Sequence, residues 1–268
     1  MHNRIVDFHV HAFPDKIAKK AAVNLEEYYH MPLVSEGGFG DILDRAERAG
    51  VEKMIIHSTA TKAAQVENIN NYVSGLVKEK PSLLVGFGTI HPDYTDYRDE
   101  LQRVVELGLH GIKLHAEFQN FYLDDDKMLP IYEEIVRLGL PVLFHLGDRN
   151  FDHASPRRLA NVLDQFPGMK AIGAHLGGVF NWDEAIVYLV GRDLYFDTSS
   201  TLHAIDPGVF LYIIRHHDIH KILFGTDYPL SDYELELKRF ERLALTDEER
   251  ELIFYKNAYR LLDEIGAL

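Results

Sequence analysis

The sequence predicts a single α/β domain over residues 1–268, folded as a (β/α)8 TIM barrel. Eight short apolar or β-branched runs alternate with longer amphipathic segments, and no linker rich in proline, glycine or serine divides them. The runs cover residues 4–10, 52–58, 83–90, 111–115, 141–146, 170–175, 194–200 and 221–227. Eight such units in about 250 residues match the size of a TIM barrel. A doubly wound open sheet is the alternative, but it normally has a glycine-rich turn after its first strand, where this chain has HAFPD.

The segments between the runs are predicted to be helices on the outside of the barrel. FGDILDRAERAG and DKMLPIYEEIVRLG end at Gly50 and Gly139, and glycine is common just after a helix. The segment from about 13 to 39 is longer than a simple turn and is predicted to be an insertion, either a lid beside the site or an extra helix outside the barrel. The last segment, about 246–265, begins with Thr246 and Glu249 at the spacing of a capping box and is predicted to be a C-terminal helix.

Composition and charge favour a small-molecule substrate. The chain has 42 acidic and 28 basic residues, a net charge of -14, and no cluster of lysine and arginine. We therefore expect no nucleic-acid partner and no membrane partner. Without cysteine the chain has neither disulfides nor thiolate ligands, and it contains no run of ~18 apolar residues and no signal-peptide pattern. A cytoplasmic location is expected.

Histidines occur at the ends of the predicted strands. His9, His11, His57, His91, His115, His145 and His175 end the first six runs, and Asp227 ends the eighth. In a parallel barrel the carboxyl ends of all strands meet at one rim, where the active site lies. These side chains are therefore predicted to converge on one site.

The alternation of side chains along a β-strand also predicts which way the side chains of the first run point. Asp7, His9 and His11 are predicted to face the barrel interior, and Val6, Phe8 and Val10 to pack on the helices. By the same rule, His175 would share an inward face with Gly173 and Ala171.

The first-strand pair, together with His145 and Asp227, offers nitrogen and oxygen donors suited to a divalent ion such as Zn²⁺, Mn²⁺ or Fe²⁺. The alternative is a buried hydrogen-bonded network without a metal.

Five motifs in a fixed order carry a family resemblance. HVH after the first strand, GIKLH, PVLFH, AIGAHLGG and FGTDYPL together resemble the amidohydrolase superfamily, in the branch that includes aminocarboxymuconate-semialdehyde decarboxylase. The resemblance extends from the first strand to the NAYRLL segment, which is nearly the whole chain.

The resemblance implies a role for each matched residue. His9, His11, His145 and Asp227 correspond to metal ligands, with Zn²⁺ expected most, and one ion is favoured although two are allowed. His175 corresponds to a histidine that contacts substrate or water in members with one metal and binds a second metal in others. The resemblance also makes a homodimer unsurprising.

Three further residues are predicted to bind substrate. Lys113 corresponds to a position where some members carry a carboxylated lysine, and His115 follows on the same strand face. Arg149 could hold a substrate carboxylate with its planar guanidinium. The alternatives are an ion pair of Lys113 with Asp7 or Asp197, and a loop salt bridge between Arg149 and Asp148 or Asp152.

Two reactions fit this predicted site. The first is hydrolysis of a small amide, cyclic amide or lactone by metal-activated water, with Asp227 moving the proton and His175 stabilising the oxyanion or positioning the water. The second is non-oxidative decarboxylation of an unsaturated or aromatic acid anchored by Arg149 or Lys113. A barrel that only binds a ligand is disfavoured because the acid and base residues are all retained.

Overall fold

The computed structural model describes residues 4–30 and 32–268, and its strands form a closed parallel barrel. The strands are β1 (Ile5–His11), β2 (Val51–His57), β3 (Leu84–Gly86), β4 (Gly88–Thr89), β5 (Ile112–Leu114), β6 (Val142–Phe144), β7 (Ala171–Gly173), β8 (Tyr195–Asp197) and β9 (Ile222–Leu223). Consecutive strands pair in parallel from β1 to β3 and from β4 to β9. β3 and β4 are halves of one predicted run, separated at Phe87, whose N–H donates to the carbonyl of Ile56.

Main-chain hydrogen bonds between the first and last strands close the ring. The N–H of Phe8 donates to the carbonyl of Phe224 at 2.8 Å, and the N–H of Asp227 donates to the carbonyl of His9 at 2.9 Å. The predicted eight-stranded TIM barrel in a single domain is therefore confirmed.

Helices surround the barrel and connect its strands. They are α1 (Asp15–Tyr29), α2 (Phe39–Ala49), α3 (Val66–Glu79), α4 (Tyr97–Glu106), α5 (Ala116–Gln119), α6 (Leu129–Arg137), α7 (Pro156–Gln165), α8 (Trp182–Tyr188), α9 (Pro207–His216), α10 (Tyr233–Phe240), α11 (Asp247–Glu251) and α12 (Asn257–Glu264). A π-helical turn, Leu252–Lys256, joins α11 to α12. Among the described residues, no helix combines the length and the apolar character needed to span a bilayer.

The predicted alternation of β1 is wrong in detail. Val6 and Phe8 do not share the larger apolar cluster that contains Val10 but belong to a smaller one with Leu143 and Ile172. Register shifts between Ile5 and Val6 and again between Asp7 and Val10 interrupt the pairing of β1 with β2. Such β-bulges break the period of two, so the face of a side chain cannot be counted along this strand.

The same cluster corrects the prediction for the strand before His175. Ile172 packs with Leu143 and Leu223, whereas a Cβ on Gly173 would meet the side chains of Leu146 and Phe196 in the larger, outer cluster. His175 begins a tight turn after the strand, with φ at 60°, so strand parity does not extend to it.

The insertion and the C-terminal segment both form helices. The predicted insertion at 13–39 contains α1 and a following loop; one of its residues, Met31, lies outside the described residues. In the predicted C-terminal segment, Thr246 and Glu249 form a reciprocal capping box at the start of α11. Leu261 and Leu262 of α12 join the smaller apolar cluster.

Candidate active site

Two β1 histidines and the aspartate after β9 meet at the carboxyl end of the barrel. Nε2 of His9 and Nε2 of His11 lie 3.3 and 3.1 Å from Oδ1 of Asp227. The other oxygen of Asp227 accepts a hydrogen bond from Ser200 at 2.6 Å. The barrel closure described above is what brings these residues together, because β1 and β9 are adjacent.

His9 is oriented by a buried carboxylate behind it. Its Nδ1 lies 2.9 Å from Oδ2 of Asp197, and both side chains are fully buried. The carboxylate can only accept, so the proton lies on Nδ1 and the lone pair of Nε2 faces the centre of the site. A histidine that donates its second N–H to a carboxylate is the usual arrangement of a metal ligand.

His145 and His175 each point one acceptor nitrogen at the other ring. Nε2 of His145 lies 3.0 Å from the carbonyl of Gly147, and Nδ1 of His175 lies 2.9 Å from the carbonyl of Ser199. Carbonyl oxygens only accept, so these two nitrogens are the donors of neutral rings. Nδ1 of His145 and Nε2 of His175 therefore point lone pairs at each other across 3.0 Å. A cation or an additional proton between them removes this repulsion.

Donor atoms of His9, His175 and Asp227 all lie within 4.8 Å of one another. Nitrogen and carboxylate oxygen donors of this kind suit Zn²⁺, Mn²⁺ or Fe²⁺. His11 and His145 each contact one member of this group. The structure thus brings together all of the predicted metal ligands with the predicted catalytic His175.

The electrostatics of the site favour neutral imidazoles beside an ionised carboxylate. Burial lowers the pKa of His9 to about 4 and also lowers the pKa of His11 and His145. Burial opposes the charge of Asp227, but His9, His11 and His175 outweigh it and hold the pKa of this carboxyl well below its usual range. Metal ligands must be in these protonation states.

Lys113 lies beneath the same group. It is fully buried, and its Nζ lies 3.3 Å from Nε2 of His9. Burial lowers the pKa of its amine to about 8, which increases the fraction of the nucleophilic free amine near neutral pH. Neither Asp7 nor Asp197 forms an ion pair with it among the described residues, since Asp7 accepts from Thr226 and Asp197 from His9.

A second polar group lies beside His145 and consists of Tyr29, His115 and Glu117; we call it the Tyr29 cluster. Tyr29 and His115 are joined by a 2.9 Å hydrogen bond between the hydroxyl and Nε2, and Nδ1 of His115 lies 3.4 Å from Oε2 of Glu117. The ring of His115 is sandwiched between those of Phe118 and His145, with centroids 3.8 Å away on each side. Burial raises the pKa of Glu117 to about 7.

Arg149 lies on another side of the barrel mouth. Its guanidinium stacks on the ring of Phe180 at 3.7 Å, and within residues 4–30 and 32–268 it forms no ion pair. Asp148 instead accepts from Tyr28 at 2.8 Å, and Asp152 pairs with Arg158. The alternative of a loop salt bridge is therefore absent, and the guanidinium donors remain available.

Two more strand-end histidines differ in their surroundings. His91 accepts a hydrogen bond from the backbone N–H of Asp93, a local loop contact. His57 is fully buried between His9 and His11, with ring centroids 4.8 and 4.7 Å away, and its two nitrogens have no partner among the described residues.

The sequence interpretation missed Asp197 as the partner of His9, and it missed Glu117. Asp197 is the last residue of β8, but the predicted seventh run continues to residue 200, so the argument from strand ends did not reach it. Glu117 carries no such signal, because its position depends on the four-residue helix α5 that follows β5.

Comparison with known proteins adds a family. The family model described as amidohydrolase matches residues 6–263. A decarboxylase of 2-amino-3-carboxymuconate-6-semialdehyde from Dictyostelium discoideum is 25% identical over an alignment 206 positions long, which covers 62% of this chain and 57% of that protein. The chain thus spans little more than half of the length of this relative.

Two further curated relatives match over most of both chains. A 2-keto-4-carboxy-3-hexenedioate hydratase from Sphingobium sp. is 25% identical, covering 90% of this chain and 83% of that protein. A gamma-resorcylate decarboxylase from Polaromonas sp. is 21% identical, covering 82% and 87%. Among solved structures, a dihydroxybenzoic acid decarboxylase from Polaromonas sp. with bound manganese has a TM-score of 0.72 at 17% identity, covering 99% of each chain.

These findings overturn the preference for hydrolysis. Two of the curated relatives are named decarboxylases and the other a hydratase, and none is named a hydrolase. The sequence-based preference rested on metal-activated water, but a divalent ion also polarises a substrate without transferring water to it. The ligand pattern alone therefore does not distinguish the two reactions.

Proposed function

Because the chain belongs to the amidohydrolase family, we propose that it is a metal-dependent decarboxylase of an unsaturated or aromatic carboxylic acid. The observation that carries the metal site is the meeting of Nε2 of His9 and Nε2 of His11 at Oδ1 of Asp227, 3.3 and 3.1 Å away. The decarboxylases among the curated relatives support the reaction.

The proposed ligand atoms are Nε2 of His9, Nε2 of His11, Nδ1 of His145 and Oδ1 of Asp227. One divalent ion, Zn²⁺ or Mn²⁺, fits this donor set, and when bound it supplies a Lewis acid that polarises oxygen atoms of the substrate. Asp197 and the carbonyl of Gly147 hold the tautomers of His9 and His145 that leave the ligand nitrogens free.

The remaining residues handle substrate and proton. Arg149 anchors a carboxylate at the barrel mouth, because its guanidinium has a planar set of donors that no carboxylate of the described residues occupies. Decarboxylation breaks a C–C bond and leaves an electron pair on carbon, which must take up a proton. We assign the delivery of this proton to Nε2 of His175, which lies beside the carboxylate of Asp227. Both residues have left-handed backbone conformations, with φ at 60° and 64°, a strain found often in active sites.

The test combines metal analysis with a substrate panel. Purified protein loaded with Zn²⁺ or Mn²⁺ is assayed for carbon dioxide release from aromatic and unsaturated acids. We expect His145→Ala to lose metal, and His175→Ala to keep metal but lose turnover. Metal-free protein whose His9→Ala and His11→Ala variants keep full activity would refute the metal site, and metal-loaded protein that releases no carbon dioxide would refute the reaction. Intact mass distinguishes free from carboxylated Lys113.

A further inference from the structure

The charge of Glu117 favours one direction of hydrogen bonding in the Tyr29 cluster. Oε1 of Glu117 accepts from the backbone N–H of Ala154 at 3.0 Å, and Oε2 lies 3.4 Å from Nδ1 of His115, a charge contact that lacks hydrogen-bond geometry. A lone pair on Nδ1 would face the negative charge of the ionised carboxylate, so this charge favours the tautomer with the His115 proton on Nδ1 and the lone pair on Nε2. The hydroxyl of Tyr29 must then donate to this nitrogen, at 2.9 Å. The hydrogen of Tyr29 is thus in use, and only the lone pairs of its oxygen remain.

The cluster also borders a cavity at the barrel mouth, which is lined by both Tyr29 and Arg149. Tyr29 is the last residue of α1, and its ring centroid lies 6.3 Å from that of His145. His115 stacks directly on His145. The hydroxyl of Tyr29 is therefore held one ring away from the proposed metal site.

A second metal ion is the competing interpretation, since donor atoms of His115, Glu117 and His145 lie within 4.8 Å of one another. The rings of the two histidines are parallel to within 8° and 3.8 Å apart. Imidazole lone pairs lie in the ring plane, so those of stacked rings do not converge on one ion. The geometry favours a hydrogen-bonding role.

We propose that Tyr29 is a specificity-determining residue whose oxygen accepts a hydrogen bond from the substrate, so that the site selects acids bearing an N–H or O–H donor. His115 and Glu117 are positioning residues: they keep the hydroxyl hydrogen of Tyr29 directed at His115, so that it is not donated to the substrate. The statement that the substrate is a carboxylic acid rests on the proposed function. The direction of the hydrogen bond from the substrate rests only on the Tyr29 cluster.

The test is binding to the metal-loaded protein at pH 8.5, where Glu117 is ionised. The probes are positional sets of amino-, hydroxy- and fluorobenzoic acids, measured by calorimetry. The wild-type protein is expected to bind the amino and hydroxy acids about 3- to 10-fold more tightly than the fluoro acids, the value of one net hydrogen bond. Tyr29→Phe is expected to abolish this preference.

Glu117→Gln distinguishes the proposal from a structural role. Glutamine removes the negative charge beside Nδ1 of His115 and can present an amide N–H to that nitrogen, which favours the ring proton on Nε2 and leaves Tyr29 as a donor. A hydroxyl can accept or donate, but an aromatic amine is a poor acceptor. We therefore expect the variant to bind the hydroxybenzoic acids as tightly as the wild type does. Its affinity for the aminobenzoic acids is expected to fall. Tyr28→Phe, which removes the neighbouring hydroxyl bonded to Asp148, is the matched control and is expected to keep the wild-type preference.

A measurement without substrate completes the test. Nitrogen NMR of the wild-type protein, with His115 assigned by its absence from His115→Gln, is expected to show the Nδ1–H tautomer. An Nε2–H tautomer, a preference that survives in Tyr29→Phe, or no binding of any acid would overturn the proposal. Binding with the expected preference but without carbon dioxide release would refute only the proposed reaction.

Discussion

Replacing Asp197 by asparagine tests how the site holds its metal. Oδ2 of Asp197 lies 2.9 Å from Nδ1 of His9, and the carboxylate has an exposed fraction of 0%. His9 and His175 hold the pKa of this carboxyl at about 2 although burial opposes its charge, so it is ionised at neutral pH. Loss of a partner of this kind typically lowers metal affinity about 10- to 100-fold, or roughly 1.4 to 2.7 kcal/mol. We expect the upper end, because an amide N–H facing Nδ1 moves the His9 proton onto the ligand nitrogen.

The assay is competition for Zn²⁺ or Mn²⁺ with a coloured chelator, beside thermal unfolding of the same samples. Asp193→Asn is the matched control, since Asp193 is exposed and pairs with Lys221 away from the site. The reasoning is refuted by an Asp197→Asn protein that folds and binds metal as tightly as the wild type.

Three other perturbations have defined outcomes. In Gly225→Ala the new Cβ would lie 3.0 Å from Cβ of His9, so we expect a loss of about 1 to 3 kcal/mol in the free energy of unfolding together with lower metal content. The raised pKa of Glu117 adds to the free energy of unfolding at low pH, and this contribution is lost as pH rises from about 4.5 to about 7. Glu117→Gln should therefore flatten the pH dependence of the free energy of unfolding in that range, by roughly 3 kcal/mol at most. Arg149→Ala is expected to raise KM for the acid about 10- to 100-fold with little change in thermal stability, because a charge-assisted hydrogen bond to substrate is lost.

Each of these has its own control. Gly75→Ala, in the middle of α3 with nothing within 4 Å of the new Cβ, is expected to stabilise by about 0.5 to 1 kcal/mol, and a Gly225→Ala protein that behaves in the same way would contradict the close approach. An unchanged pH profile in Glu117→Gln would contradict the raised pKa. If Arg149→Lys restores the wild-type KM, the planar guanidinium is not what binds the acid.

The barrel could be predicted from the sequence because each strand is a separate apolar run and parallel strands impose a common rim. The same argument placed His9, His11, His145, His175 and Asp227 together without any knowledge of their contacts. It failed where the backbone departs from regular geometry: the bulges of β1 changed which side chains face inward, and bulges depend on the neighbouring strand.

The Tyr29 cluster shows a different limit. Tyr29 and Glu117 are separated along the chain by four strands, β2 to β5, and lie on α1 and α5, outside the barrel strands. Their meeting at His115 depends on how two connecting segments fold over the barrel mouth. Neither hydrophobic period nor strand position contains that information.

The closure of the ring between β1 and β9 has a consequence for the order of folding. The proposed ion is held by residues 9 and 11 at one end of the chain and by residue 227 near the other, so a bound ion acts as a crosslink across nearly the whole barrel. Joining such distant segments has an entropic cost that the intervening strands reduce as they assemble. A partly folded chain that lacks its last strand has no complete metal site, and capture of the ion therefore follows ring closure and then opposes its reopening.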